Sequence, residues 1–199
     1  MYKWDERYAT EEFIFGTEPN VLLREVLHHL PKHGRALDVA TGEGRNGVFL
    51  AEQGLETTGI DLSEIGLQKA RRLAQIKGVP FKAEQHDIAE YPFIPAHYAV
   101  ICSIFCHFIE PLRTQICQRI VTALEPGGMF VGVFYHPEQI ALGTGGPSNP
   151  AMLGTLEEMK SAFNGLEWLI AEYIRLDQTE GSRHRGESAL IRLLGRKPL

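Results

Sequence analysis

The chain has 199 residues, 44% hydrophobic and 23% charged, with three cysteines and a net charge of −5. That length can bury a core without disulfide or metal staples, so residues 1–199 are expected to form a single domain with one active-site crevice. The acidic balance supplies no basic field for a phosphate backbone, and no apolar run reaches the roughly 18 residues of a membrane span. Cys102, Cys106 and Cys117 are odd in number and lie in or beside apolar segments, which fits a reducing compartment. The expectations are a cytoplasmic protein without a signal peptide, a small-molecule substrate, no nucleic-acid or membrane partner, and a monomer or homodimer.

Residues 1–18 carry Trp4, Tyr8, Phe13 and Phe15 among charged side chains and read as a short helix and a loop whose aromatic rings need something to cover. After Pro19-Asn20, residues 22, 23, 26, 27 and 30 make an apolar stripe at helical spacing that Pro31 and Gly34 stop. Arg35 to Val39 is an apolar strand running into Ala40-Thr41-Gly42-Glu43-Gly44-Arg45-Asn46, where Gly42 and Gly44 allow a sharp turn and close approach of the backbone to a ligand. A helix over 46–53 follows, stopped by Gly54.

A second strand over 55–60 ends at Asp61-Leu62, the place where a carboxylate meets a ribose in doubly wound sheets. Ser63 opens a helix to Lys77, with Leu67, Ala70, Leu73 and Ala74 facing inward and Lys69, Arg71 and Arg72 expected on the solvated face. Residues 78–85 form a third strand that Pro80 confines to a sheet edge, followed by His86-Asp87-Ile88. Tyr98 to Ile104 is apolar throughout, as a central strand requires. Ser103, Phe105 and His107 stand at its carboxyl end.

Leu112, Ile116, Ile120 and Leu124 define a helix over 111–124, and Pro126-Gly127-Gly128 turns the chain into a strand over 129–135. This alternation predicts a parallel sheet with helices on both faces. Residues 136–154 hold four glycines and no sustained period, a loop long enough to cover a site at the end of the preceding strand. Thr155-x-x-Glu158 is a capping box for a helix to Phe163. Strands over 167–176 and 188–196 flank a cationic loop at 180–186.

Asp38-x-Ala40-x-Gly42-x-Gly44-Arg45-Asn46, the acidic strand end at Asp61, and Leu124-Glu125-Pro126-Gly127-Gly128 together resemble the class I S-adenosylmethionine-dependent methyltransferases. The Gly-Arg-Asn ending resembles their tellurite-resistance and thiopurine branch. The resemblance implies a Rossmann-like α/β fold with a seven-stranded, mostly parallel sheet and an antiparallel last strand. It implies S-adenosylmethionine as cofactor, its methionine end on Ala40, Gly42, Gly44, Arg45 and Asn46 next to Asp38, its ribose on Asp61 with Leu62, its adenine on Asp87 and Ile88, and its methyl beside Ser103. Residues 1–18 would close over the ligands and residues 136–154 would cover the substrate. His107, His136, His184 and Arg185 are then candidate orienting or anion-binding groups and Tyr135 a wall; no metal is expected. Ala40 replaces the usual first glycine, and Ala99 stands where the family commonly has an aspartate.

A thiolate, selenide or tellurium oxyanion arrives with its lone pair available, whereas an amine or alcohol needs a positioned base. The sequence therefore fits methyl transfer to a small, soft nucleophile: a tellurium or selenium oxyanion, or a thiol. A protein that binds S-adenosylmethionine without turnover, or that methylates another small metabolite, is the alternative.

Overall fold

The computed structural model describes residues 3–181 and 184–199, and leaves the side chains of Lys3, His184 and Arg185 undescribed. Seven strands form one sheet: β1 (Arg35–Val39), β2 (Glu56–Asp61), β3 (Lys82–Gln85), β4 (Tyr98–Ile104), β5 (Leu124–Tyr135), β6 (Glu167–Glu180) and β7 (His184–Arg196), in the spatial order β3-β2-β1-β4-β5-β7-β6. Strands β1 to β5 pair in parallel, and β7 runs antiparallel to both β5 and β6. This is the sheet the sequence predicts, with β3 at the edge. Strand order reverses between β1 and β4, where Val39 lies beside Ser103. In open α/β sheets that reversal leaves a crevice at the carboxyl ends of the strands, and ligands bind in it.

The helices are α1 (Lys3–Tyr8), α2 (Val21–Glu25), α3 (Arg45–Glu52), α4 (Glu64–Lys77), α5 (Leu112–Ala123), α6 (Gln139–Leu142) and α7 (Leu156–Ala162). Alternate strand residues point to opposite faces. On one face Leu22, Leu23 and Val26 around α2, with Leu50 of α3, pack against Ala36, Val100, Cys102 and Val131. On the other, Ile116 and Ile120 of α5 and Met159 of α7 pack against Leu37, Val39, Ile101 and Phe130. No helix among the described residues is long and apolar enough to cross a membrane.

Several local expectations change, β3 shortening to Lys82–Gln85 and β6 and β7 lengthening to Glu180 and from His184 among them. The helix expected up to residue 30 stops at Glu25 and continues as a 3-10 turn over Leu27–His29. Pro126-Gly127-Gly128 is not a turn before β5 but part of it, because the amide of Gly127 donates to the carbonyl of Lys197 and that of Lys197 to the carbonyl of Gly128, at 2.9 Å each. The 136–154 segment contains α6 and a 3-10 turn over Pro150–Met152. Lys69 is not on a solvated face; it is buried beneath residues 10–12. Two signals held closely: Ser63 caps α4 by accepting from Gly66 N–H at 3.1 Å, and Thr155 and Glu158 form a reciprocal capping box.

Candidate active site

The site is built on the turn from β1 to α3. Ala40, Gly42 and Gly44 all take positive φ, at 60°, 53° and 88°. Only glycine adopts that region without strain, so Ala40 holds by force the conformation that glycine would take freely. Asp38 lies beneath the turn, its Oδ2 accepting from Thr41 Oγ1 at 2.6 Å. Its carboxyl also takes the Gly47 N–H, and burial pushes its pKa up to about 6. Asp38 therefore braces the turn from below.

Asp61, at the tip of β2, joins the turn to the next helix. Its Oδ2 accepts from Gly42 N–H at 2.8 Å and its Oδ1 from Ser63 N–H at 2.9 Å. Leu62 N–H also bonds this carboxylate, and with two acceptor sites on each oxygen, capacity remains for a ribose hydroxyl. The Asp61 carbonyl in turn accepts from His86 N–H at 3.0 Å, which sets the following Asp87-Ile88 on the same rim. Ile88 is buried, whereas Asp87 is exposed and its Oδ1 caps the local turn at Ala89 N–H, 2.9 Å. Gly42 is thus joined to Asp61 through its carboxylate, and Asp61 through its carbonyl to His86, the residue before Asp87-Ile88.

The N-terminal segment is folded down on this edge. A side-chain carbon added at Gly42 would lie 2.5 Å from the Tyr8 hydroxyl, and one at Gly66 would lie 3.0 Å from the Tyr8 ring. Burial, with Asp61 and Glu43 nearby, raises the Tyr8 pKa. Glu43, inside the turn, accepts the N–H groups of Ile14 and Phe15 at 3.2 and 3.1 Å and faces Lys69 Nζ at 2.8 Å. Lys69 also donates to the Glu12 carbonyl at 2.6 Å, and Ser63 Oγ donates to Asp5 Oδ1 at 2.6 Å. The sequence reading missed Glu43 and Lys69 because each looks like ordinary surface charge on its own.

On the β4 side, Arg45 Nη1 lies 2.7 Å from Glu180 Oε2 in a buried ion pair, and Asn46 Oδ1 accepts the Asn20 N–H at 2.9 Å. Asn20 Nδ2 donates to Glu180 Oε1 at 2.8 Å. Arg45 and Asn46 thus tie the glycine turn to the N-terminal segment and to the β6–β7 hairpin. Glu180 and Asn20 were not among the expected site residues.

The substrate-side candidates divide. His107 follows β4, with Nε2 accepting the Tyr135 N–H at 3.0 Å and Nδ1 3.0 Å from the Phe105 carbonyl. With Nε2 as the acceptor, the network assigns the hydrogen of this pair of bonds to Nδ1. Tyr135 stacks on Phe105 with centroids 4.8 Å apart and donates to Gln178 Oε1 at 3.3 Å. His136 lies instead against Tyr173, centroids 4.5 Å apart. The candidate roles of His184 and Arg185 rest on side chains outside the described residues. The 136–154 segment is fastened by the buried Gln139, whose Oε1 accepts the Ala189 N–H at 2.8 Å and whose Nε2 donates to Thr144 at 2.9 Å.

Gly42-x-Gly44-x-x-Gly47 also spells the dinucleotide-binding pattern, so the turn alone does not choose between a nicotinamide and a sulfonium cofactor. Comparison with known proteins does. Residues 36–128 match the family model described as a methyltransferase domain. That stretch, just under half of the chain, resembles a methyltransferase domain. The demethylmenaquinone methyltransferase of Deinococcus radiodurans is 33% identical over 117 residues, 57% of this chain and 47% of that protein. The chain spans about half the length of the curated relatives it matches. tRNA methyltransferases are among them.

Solved structures share the whole architecture at low identity. One, reported under the conversion of a disulfide bond into a thioacetal group during echinomycin biosynthesis, superposes with a TM-score of 0.77 at 15% identity, covering 98% of this chain and 91% of that one. TehB from Haemophilus influenzae gives 0.71 at 18% identity, covering 98% and 65%. These likenesses show the Rossmann-like α/β fold, and S-adenosylmethionine, the cofactor the resemblance implies, is the ligand to test against this site. The residues fit that ligand: a turn without bulky side chains, a carboxylate with spare acceptor sites and a buried apolar residue follow one another along the rim.

Proposed function

We propose that this chain is an S-adenosylmethionine-dependent methyltransferase of a small, soft nucleophile, a thiol or a selenium or tellurium species. The turn at 40–46 would hold the methionine end, Asp61 the ribose and Asp87 with Ile88 the adenine, while Tyr8 and residues 13–15 exclude water. S-adenosylmethionine held there would supply an electrophilic methyl group on a cationic sulfur for transfer to the acceptor's lone pair.

The observation that carries the choice of acceptor is the state of His107. Both its ring nitrogens face backbone groups, the Tyr135 N–H and the Phe105 carbonyl, so the imidazole at the tip of β4 is committed to holding β4 against β5. Beside it, burial holds the Cys106 thiol protonated. A site whose candidate base is engaged in this way favours an acceptor that reaches neutral pH with its lone pair exposed. The net charge of −5 favours a small molecule over tRNA. The disulfide-directed chemistry named for one structural neighbour agrees with a sulfur acceptor.

The test is release of S-adenosylhomocysteine from S-adenosylmethionine with hydrogen sulfide, ethanethiol, selenide and tellurite, against an amine and a catechol. Turnover with the soft set is expected. Turnover only with the amine or catechol would overturn the acceptor class, and binding without release of product from any of them would leave a non-enzymatic binding protein.

A further inference from the structure

Beneath the tip of β4, on the face covered by α5 and α7, lies a small cavity lined by Ser103, Cys106, Cys117, Phe134, Met152 and Met159, among others. It offers about 20 Å³ to the centre of a water-sized sphere. That is the room of one water molecule or one methyl group. Four of the lining residues carry sulfur, two thiols and two thioethers, and His107 and Arg113 stand among the others. Burial pushes the Cys117 thiol up to about 12 and raises that of Cys106 as well, so both are neutral. The one cation on the wall, Arg113, is already engaged: its Nε donates to Glu110 Oε1 at 2.8 Å and its Nη1 to the Leu153 carbonyl at 3.0 Å.

The cavity adjoins the cofactor rim. Ser103 pairs with Val39, one residue before the glycine turn, and Cys106 lies near enough to Asp61 for that carboxylate to raise its pKa further. A buried water needs two to four polar partners, and the polar side chains of the lining are already engaged, Ser103 with Cys106, His107 with Tyr135 and Phe105, and Arg113 with Glu110 and Leu153; an alkyl group needs only dispersion contacts, which the sulfur-bearing residues make well. A hydrated oxyanion would meet a guanidinium already neutralised by Glu110, and an aryl ring is too large.

We propose that this cavity seats a methyl- or ethyl-sized alkyl group carried on the reacting atom of the acceptor, which narrows the substrate class to short-chain alkyl thiols and selenols. The inference rests on the methyltransferase reading for its place in catalysis, but the cavity's occupancy is measurable without turnover.

The experiment labels the methionine methyl groups with 13C and titrates the protein with ethyl methyl sulfide, the inert product shape. Met152 and Met159 line the cavity, whereas Met129 packs on the opposite face of the sheet and serves as an internal control. Saturable shifts at Met152 and Met159, with Met129 still and with methyl phenyl sulfide giving none, are expected. Cys117→Leu, which fills the cavity, should abolish the shifts while keeping a dispersed spectrum, and Cys117→Ala should admit the propyl homologue. In turnover, the preference for ethanethiol over benzenethiol should fall about tenfold in Cys117→Leu, the usual worth of a filled alkyl pocket. No shift, or equal shifts at all three methionines, would overturn the cavity assignment even if thiols are methylated. Shifts at Met152 and Met159 without S-adenosylhomocysteine from any thiol would keep the cavity and overturn the transfer reading.

Discussion

Glu43 and Lys69 meet at 2.8 Å in a nearly dry contact, and the same carboxylate accepts the amides of Ile14 and Phe15. The pair joins three pieces: the glycine turn, α4 and the N-terminal segment. Removing one partner of a buried pair strands the other charge, at a cost of about 3 kcal/mol. Glu43→Gln should therefore lower stability by about that amount and loosen residues 5–16. Hydrogen exchange is the check: amides of Ile14 and Phe15 should lose protection in Glu43→Gln before those of β1 and β4 do. Equal loss across the sheet would mean that Glu43 supports the core and not the cover.

Tyr8 and Gly42 define how closely that cover sits. An alanine methyl at Gly42 would fall 2.5 Å from the Tyr8 hydroxyl and sit at a φ of 53°. Gly42→Ala is expected to weaken S-adenosylmethionine binding about thirtyfold, with strain and the displaced tyrosine each contributing on the order of 1 kcal/mol. Adding Tyr8→Ala should recover the part due to collision and none of the part due to φ. A calorimetric double-mutant cycle reads the difference; strict additivity would show that the two residues do not touch in the binding-competent state.

Ala40 invites the opposite substitution. Its φ of 60° is the left-handed region, which costs a residue with a Cβ about 1 kcal/mol relative to glycine. Ala40→Gly should stabilise the protein by that margin, raising Tm by about 3 °C in a chain of this size. A fall in Tm on scanning calorimetry would show that the Ala40 methyl packs usefully enough to outweigh the strain.

Asp38 supplies a pH signature. Burial raises its folded pKa to about 6, above the unfolded value of 3.8, so the folded chain holds the proton more tightly. Stability from this group is fully present below pH 3.8 and is lost as pH rises through 6, at most about 3 kcal/mol in all. Asp38→Asn, which cannot ionise, should flatten that part of the urea-midpoint profile between pH 4 and 6. An unchanged profile would assign the slope to other groups.

Elements marked by local chemistry were legible from the chain itself. β4 reads from six apolar residues around Ser103, α4 from the Ser63 cap, α7 from Thr155 and Glu158, because each signal is complete within a few positions. The turn at 40–46 and the carboxylate of Asp61 were legible for the same reason. What escaped depends on partners distant in sequence. Lys69 looks solvated until Glu43 and residues 10–12 are placed over it, and Arg45 cannot be matched to Glu180 before the hairpin has closed. Pro126-Gly127-Gly128 has turn chemistry, yet Lys197 at the far end of the chain draws it into the sheet. His107 carried a catalytic expectation from its place after β4; its pairing with the Tyr135 amide follows only from the β4–β5 register.

The most direct measurement is calorimetric titration of the protein and of Asp61→Ala with S-adenosylmethionine. Wild-type protein should bind one equivalent, and Asp61→Ala should bind at least about tenfold more weakly, since the ribose bonds and the brace on Gly42 are lost together. Equal affinity of the two proteins, or no binding to the wild type, would contradict the assignment of these strand ends to an adenosine-bearing sulfonium.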